Sequence, residues 1–400
     1  MRRRVAITGL GPVSSIGIGV DDFAAGLLAG WSGIGPVASF DTTGFPHFMA
    51  GEVADFEPKS LVRAVQPDQW GRTSLFAAAA ARLAVTDSGI DPAALAAARA
   101  GSSIGTAGGE SQLVGTLTAG WVHAGLPALS GELTRRLPAA RLAVAVNREL
   151  GLTGEAVTVS TACSAANHAL GYAYDQVASG EADYMVAGGA DSVSRWMHAG
   201  HHRLGALAAL ACAPFDKDRS GTLTGEGGAA LFLEPLDGAR ARGARVYAEV
   251  LGYGTNCAAG PAPDPGPIAD CIRRAHADAG VRPGEVDYIC AHGVGTPADD
   301  AAEFAAVRDV FGDRPPPISS IKSMLGHTMG AASGFGAIAA ALAIARGFLP
   351  PTVNFRTPDE TMTNIDPVAN ASRPAAVDVV QNNCFAAGGT NAVTVLGRAA

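Results

Sequence analysis

The chain has 400 residues, of which 48% are hydrophobic and 16% charged, which predicts a compact protein with a large core. The formal net charge of −8 at pH 7 gives no basic footprint and argues against nucleic acid as a partner. The length predicts two domains or one large duplicated domain.

The apolar segments predict neither a membrane span nor a secretion signal. The best candidate span, GAIAAALAIARGFLPP, is cut by Arg346 and two prolines. The stretch VAITGLG after MRRR is too short for a signal-peptide core and lacks its cleavage pattern. We therefore expect a cytoplasmic protein without a membrane partner.

The first strand is expected in RVAITGLGPVSSIG, where it should break at the glycines. RVYAEVLGYGTN at 245–256 opens in a similar way, so each stretch could start one half of a duplicated fold. Chance explains so short an echo about as well as duplication does. Strand-like and helix-like segments alternate throughout, which predicts an α/β fold with mostly parallel pairing, and GPAPDPGP at 260–267 is predicted to be a loop.

Cys163 lies between the valine-rich stretch EAVTVS, read as a buried strand, and NHALGYAYDQVASG, read as a helix that ends at Gly180. A cysteine at such a strand-to-helix turn is near the positive end of the helix dipole, which favours the nucleophilic thiolate. A small buried hydrophobe is the alternative reading, because that is the usual fate of a free cysteine.

The six cysteines, at 163, 212, 257, 271, 290 and 384, include no C-x-x-C pair, so free thiols are expected and no disulfide or zinc site. His201 and His202 are expected at a surface or turn position rather than in a metal site, because adjacent residues seldom share ligand geometry. No metal and no bound organic cofactor are predicted.

Three stretches of the second half carry candidate polar residues near strand ends. VDYICAHGVGT is a predicted strand that runs into a glycine-rich turn at His292, and PISSIKSMLGHTMG is a strand and a turn with Lys322 and His327. NNCFAAGGTNAVTVLGR is a strand, a tight turn at Gly388 and Gly389, and a last strand. Groups at the carboxyl ends of strands gather in one crevice, and a cysteine with histidines there is the general layout for covalent acyl chemistry.

The motifs VSTACSAAN, VAGGADS, PFDKDRSGTLTGEGGAALFLE, AHGVGTPADDAAE, SSIKSMLGHTMGAAS and GGTN resemble the β-ketoacyl-acyl carrier protein synthases of thiolase fold, nearest the elongating type II enzymes. The resemblance covers nearly the whole chain in the right order. It implies a five-layered αβαβα sandwich of two similar halves, 1–244 and 245–400. The first half carries the nucleophilic cysteine, and the second carries the histidines and the lysine.

The resemblance also assigns roles to residues. It makes Cys163 the nucleophile, His292 and His327 the catalytic histidines, and Lys322 the active-site lysine. Lys322 is one of only three lysines in the chain. The backbone N–H groups of Cys163 and Ala387 are the implied oxyanion hole.

The implied reaction is a ping-pong condensation. An acyl group moves from an acyl carrier protein to the cysteine, and a malonyl-carrier thioester then loses carbon dioxide and attacks it to give a 3-ketoacyl thioester. The substrates travel on the phosphopantetheine arm of the carrier protein. The implied assembly is a homodimer or a heterodimer with a second ketosynthase-like subunit.

Several positions depart from the family pattern. Ala166 stands in place of a glycine, which is expected to narrow the turn or the acyl entrance. Val294 stands in place of a threonine that holds the carrier arm, although the second threonine is present as Thr296. The loop TNCAAGPAPDPGP is shorter than the family's and lacks its His-Met-Thr segment.

Two further departures concern charge and access. Gly336 occupies the place of a glutamate that would pair with Lys322, which leaves the protonation and placement of the lysine open. Ala387 occupies the place of the gating phenylalanine, with Ala386 before it and Phe385 retained. We expect a roomier or ungated acyl pocket bordered by these residues.

The leading interpretation is a stand-alone condensing enzyme in a polyketide-like or specialised fatty-acid pathway. One alternative is a cysteine acyltransferase that passes the acyl group to an amine, alcohol or water without elongation. Another is a non-catalytic subunit that shapes chain length, which the retained Cys163, His292 and His327 disfavour. The chain has no G-x-S-x-G elbow of a serine hydrolase, and Ser14 stands where a dinucleotide-binding fingerprint needs its third glycine.

Overall fold

The computed structural model describes residues 2–260 and 262–400. The strands of the first half are β1 (Val5–Ser14), β2 (Gly17–Ile18), β3 (Gly35–Pro36), β4 (Met49–Gly51), β5 (Ala100–Gly105), β6 (Ala156–Val159), β7 (Tyr184–Asp191), β8 (Thr224–Gly225) and β9 (Gly227–Pro235). Those of the second half are β10 (Ala248–Cys257), β11 (Tyr288–Cys290), β12 (Ile318–Ser319), β13 (Phe348–Leu349), β14 (Arg373–Pro374), β15 (Val379–Phe385) and β16 (Thr390–Gly397).

The helices of the first half are α1 (Val20–Ala29), α2 (Pro58–Leu61), α3 (Arg72–Ser88), α4 (Pro92–Ala97), α5 (Ser111–Ala124), α6 (Gly131–Thr134), α7 (Arg141–Leu150), α8 (Ala165–Ser179), α9 (Arg195–Arg203) and α10 (Leu236–Ala241). Those of the second half are α11 (Pro265–Ala279), α12 (Pro297–Phe311), α13 (Lys322–Leu325) and α14 (Ala332–Arg346). The boundary expected after residue 244 falls in the connection between α10 and β10.

The strand order demonstrates the internal duplication. The main sheet runs β12-β11-β15-β16-β10-β1-β9-β7-β5-β6, and the halves meet where β1 pairs antiparallel with β10. Numbered within its own half, each set of five reads 3-2-4-5-1 from the outer edge to this junction. The pairing senses also repeat, because the two pairs farthest from the junction are parallel and the others antiparallel in both halves.

This sheet corrects two expectations. Pairing is mixed, and antiparallel pairs outnumber parallel ones, because in each half one strand, β9 or β16, runs antiparallel to both of its neighbours and the halves also meet through an antiparallel pair. The first strand also does not break at its glycines but continues to Ser14. Gly9 and Gly11 allow α3 to pack against the strand, because a Cβ at either position would collide with the Ala84 or Ala80 carbonyl.

The elements form five layers. α8 and α14 lie in the middle and contact strands of both halves, α3 and α7 cover the outer face of the first half, and α11 with α12 beside it covers the second. The segment Met329–Arg346 is long and apolar enough to cross a membrane, contrary to the expectation from the sequence, because Arg346 ends the apolar stretch rather than cutting it. In this fold 89% of the segment is buried inside the protein as the middle layer.

Candidate active site

Cys163 lies in a tight 3₁₀ turn, Ala162–Ser164, between β6 and the start of α8. Helix α8 ends at Gly180 in the left-handed conformation, as predicted from the sequence. Ala162 has a φ of 50°, a conformation that is costly for a residue with a Cβ. This strained turn holds Cys163 at the helix start, where 9% of the surface of the cysteine is exposed.

The thiol is more strongly desolvated than the helix-start position alone suggested. Burial raises the pKa of Cys163 to about 11, although hydrogen bonds from the backbone N–H groups of Ala387 and Cys163 and the charge of Lys322 lower it. The raised pKa favours a thiol at neutral pH, in contrast to the thiolate expected from the helix start alone. Both N–H groups assigned to the oxyanion hole lie near enough to the sulfur to lower its pKa.

His327 contacts the nucleophile directly, with its Nε2 3.0 Å from the Cys163 Sγ. The backbone N–H of Met329 donates to the His327 Nδ1 at 3.2 Å, so Nδ1 carries no proton. Burial, helped by the charge of Lys322, holds the pKa of His327 well below its usual range. The neutral ring therefore carries its proton on Nε2 and donates to the sulfur.

His292 follows β11 and is fixed through its backbone. Glu303, on α12, accepts the N–H of His292 at 2.9 Å and that of Gly293 at 2.7 Å. Burial holds the pKa of His292 well below its usual range, and the positive charge of Lys322 adds to this effect. The His292 and His327 rings meet edge to face with centroids 5.9 Å apart.

The Nζ of Lys322 donates to the His292 carbonyl oxygen. No glutamate is available from Gly336, where a Cβ would already collide with the Asn382 Oδ1. The buried acidic group that responds to the charge of Lys322 is Glu303: burial raises its pKa, and hydrogen bonds from Gly293, Asn383 and His292, followed by the Lys322 charge, lower it in part. Glu303 was not singled out from the sequence, although it is the last residue of the quoted AHGVGTPADDAAE.

A small cavity of ≈ 30 Å³ leads to His292. Its lining includes Asp264 and Asp299 together with Phe385, Ala386 and Ala387. Phe385 packs in the core of the second half, and its ring meets the His292 ring edge to face with the ring centroids 5.9 Å apart. The roomier acyl pocket therefore stays a prediction.

Thr296 and Val294, expected along the carrier arm, and Ala166, expected at the turn or acyl entrance, make local contacts in the structure. Thr296 caps α12, where its hydroxyl accepts the N–H of Asp299 and donates to the Asp299 carboxylate. Val294 is buried, and its carbonyl accepts from the Cys212 thiol. The methyl group of Ala166 is buried beside Gly189 and Gly334 in the middle layer.

All six cysteines are free, as expected. In residues 2–260 and 262–400, no three His, Cys, Asp or Glu side chains are placed to hold one metal ion. His201 and His202 are half-buried on the last turn of α9, where a surface or turn position was expected.

Two duplicated α/β halves that place a cysteine and two histidines at facing strand ends define the thiolase-like class of fold. The chain belongs to the β-ketoacyl synthase family, because the models for the N-terminal and C-terminal domains of that family match residues 2–239 and 247–356. The recognition from the sequence and the fold class are therefore confirmed. The chain is a ketosynthase-type condensing enzyme, an acyltransferase.

Individual relatives support this assignment over their full lengths. A 3-oxoacyl-[acyl-carrier-protein] synthase 2 of Coxiella burnetii is 36% identical over 420 residues, with 99% of each chain covered. The ishigamide ketosynthase/chain length factor structure is similar with a TM-score of 0.98 and 49% identity, and all of both chains is covered. A type II polyketide ketosynthase in complex with its acyl-carrier protein, AntDE:AntF, has a TM-score of 0.91 and 28% identity over all of both chains.

Proposed function

We propose that the protein catalyses decarboxylative condensation of an acyl group with a malonyl-carrier thioester. The observation that carries the proposal is the hydrogen bonding at the Cys163 sulfur. The Nε2–H of His327 donates to it at 3.0 Å, and the backbone N–H groups of Ala387 and Cys163 lie near enough to lower its pKa. A thioester carbonyl oxygen bound beside the sulfur can therefore accept hydrogen bonds from donors already in place as negative charge develops on it.

Acylation exchanges one thioester for another. The Cys163 sulfur attacks the carbonyl carbon of the acyl-carrier thioester, and the oxyanion accepts hydrogen bonds from the N–H groups of Cys163 and Ala387. Collapse of this intermediate breaks the bond to the pantetheine sulfur, which leaves as a thiol with the proton lost by Cys163. The hydrogen bond from His327 stabilises negative charge on the attacking sulfur, which lowers the barrier for a thiol with a raised pKa.

Condensation uses the same donors for a second charge. When the malonyl thioester loses carbon dioxide, the electron pair of the broken C–C bond moves onto the thioester oxygen, where His327 and His292 donate to the enolate. The enolate carbon then attacks the acyl-Cys163 carbonyl, the bond to the Cys163 sulfur breaks, and the departing thiolate takes a proton from solvent. Neutral histidines suit this step, since a charged pair beside Lys322 would be disfavoured by repulsion.

We infer that the partners are an acyl carrier protein and a second ketosynthase-like subunit in a polyketide-type pathway. One structural relative binds an acyl-carrier protein, and the other is a ketosynthase/chain length factor pair. The surface fits a subunit partner, because β6 is a half-buried edge strand that pairs with β5 on one side and with no strand of the described residues on the other. Trp121, Val122 and Leu126, on α5 and just after it, are exposed.

The test is the intact mass of the protein after incubation with an acyl-carrier thioester and then with malonyl-carrier protein. A Cys163-dependent acyl adduct that malonyl-carrier protein discharges to a 3-ketoacyl product supports the proposal, with Cys163→Ala as the control. Discharge only to an amine, alcohol or water would establish the acyltransferase alternative. Native mass spectrometry, alone and with a co-expressed ketosynthase-like subunit, separates a homodimer from a heterodimer.

A further inference from the structure

A second cysteine of the site, Cys384, lies between the nucleophile's backbone and His292. It is near the end of β15 and has no exposed surface. Its Sγ is 3.0 Å from the Cys163 carbonyl oxygen and 3.4 Å from the His292 Nδ1, both within the usual range for sulfur. Nothing in the reaction as described above uses this thiol.

Cys384 is a protonated thiol, since burial raises its pKa far above the ordinary value. Its single proton has two acceptors within reach. The Cys163 carbonyl has another donor, the Ser333 hydroxyl at 3.4 Å, whose oxygen in turn accepts the N–H of Asn167 at 3.0 Å. The carbonyl can therefore be satisfied without the thiol, and an imidazole nitrogen is a stronger proton acceptor than an amide oxygen.

In His327 too, the Nδ1 atom lies beside a donor, which there is a backbone N–H instead of a thiol. The Nδ1 of His327 accepts from the Met329 backbone N–H, which can only donate, so its ring proton is on Nε2. The Nδ1 of His292 faces the Cys384 thiol. If that thiol donates, both rings carry their proton on Nε2, and both can donate to one enolate oxygen.

We propose that Cys384 is a positioning residue that donates its S–H to the His292 Nδ1 and so holds the ring in the Nε2–H form that the enolate requires. The proposal rests on the condensing function proposed above. Acylation of Cys163 does not need this tautomer, because its oxyanion donors are backbone groups. The two half-reactions should therefore respond differently to a change at Cys384.

The first test compares both half-reactions in Cys384→Ala, Cys384→Ser and Cys271→Ala. Cys271 is a matched control, since it is a fully buried thiol on α11, outside the site, that donates to the Gly254 carbonyl. Cys384→Ala should acylate Cys163 within about threefold of wild type but decarboxylate malonyl-carrier protein about 10- to 100-fold more slowly. Cys384→Ser keeps a donor and should restore decarboxylation to within about threefold of wild type, and Cys271→Ala should be unchanged in both.

Retained acylation shows that the variant is folded and that the site is assembled. Unaltered decarboxylation in Cys384→Ala would overturn the proposal, as would equal loss of both half-reactions in Cys384→Ala. A wild-type protein that is not acylated at Cys163, or that does not decarboxylate, would instead refute the proposed function.

The second test reads the tautomer without turnover. Nitrogen-15 NMR of protein labelled at its nine histidines, with the His292 signals assigned from a His292→Gln variant, reports which ring nitrogen carries the proton. The proposal expects Nε2–H in wild type and Cys384→Ser, and a mixture of tautomers in Cys384→Ala. A wild-type His292 protonated on Nδ1 would overturn it.

Discussion

The side-chain oxygen of Asn382 occupies the space where residue 336 would place a Cβ. Asn382 cannot move aside freely, because its Nδ2 donates to the Asn167 side-chain oxygen at 2.9 Å and to the Ser333 carbonyl at 2.9 Å. Gly336 is therefore required by packing between α14 and β15. The family glutamate cannot be restored here without displacing this buried amide.

We expect Gly336→Ala to lower the free energy of unfolding by about 1–3 kcal/mol, since the methyl group must displace a hydrogen-bonded side chain. Denaturant unfolding measures the loss. Gly115→Ala in α5 is the control, because nothing lies within 4 Å of a Cβ there, and it should stabilise by about 0.5–1 kcal/mol. Equal stability of the two variants would contradict the collision with Asn382.

Alkylation of Cys163 by iodoacetamide should accelerate about tenfold per pH unit from pH 7 to pH 10, since only the thiolate reacts and the thiol pKa is raised to about 11. Mass mapping of the Cys163 peptide separates this reaction from that of the exposed Cys257. A plateau near pH 8 would show that the helix start, and not burial, determines the pKa.

Glu303→Gln should lower both stability and the rate of decarboxylation. The glutamine NH₂ replaces one of the two carboxylate oxygens, so it must face either the N–H of Gly293 or the donors of His292 and Asn383. Two donors then face each other without an acceptor in the core, which costs about 1–3 kcal/mol. Thermal unfolding and malonyl-carrier decarboxylation are the measurements. The control is Asp309→Asn on the same helix, which removes only an exposed ion pair with Arg273. If this variant lost as much stability and decarboxylation rate as Glu303→Gln, the effect would not be specific to Glu303.

Ala387→Phe should place a ring in the entrance cavity and slow acylation by long acyl chains at least about tenfold more than acylation by acetyl. Ala387→Gly keeps the backbone N–H and should preserve the wild-type profile. Acylation rates across a series of acyl-carrier thioesters measure the effect. An unchanged profile in Ala387→Phe would mean that the side chain at this position does not limit access.

Local patterns in the sequence predicted α8, the turn at Cys163 and the hairpin of β15 and β16, because helix spacing and paired glycines report local structure directly. The motifs predicted that Cys163, His292, His327 and Lys322 lie together. The sequence could not predict the raised thiol pKa or the contact of Cys384 with His292. The raised pKa depends on how closely the two halves pack, because desolvation is a property of the assembled core. The contact depends on the parallel pairing of β11 with β15, which brings His292 beside Cys384 across 92 residues of chain.

The shared middle layer has a consequence for the synthesis of the chain. Helix α8 is made early, yet its neighbours include α14 and strands β10 and β16, which leave the ribosome much later. The nascent first half therefore exposes the apolar face of α8 and the flank of its sheet until translation has passed Arg346 and the last strand. The catalytic cysteine is therefore solvent-exposed and without its second histidine while the ribosome adds the 164 residues from Cys163 to His327, about two-fifths of the chain.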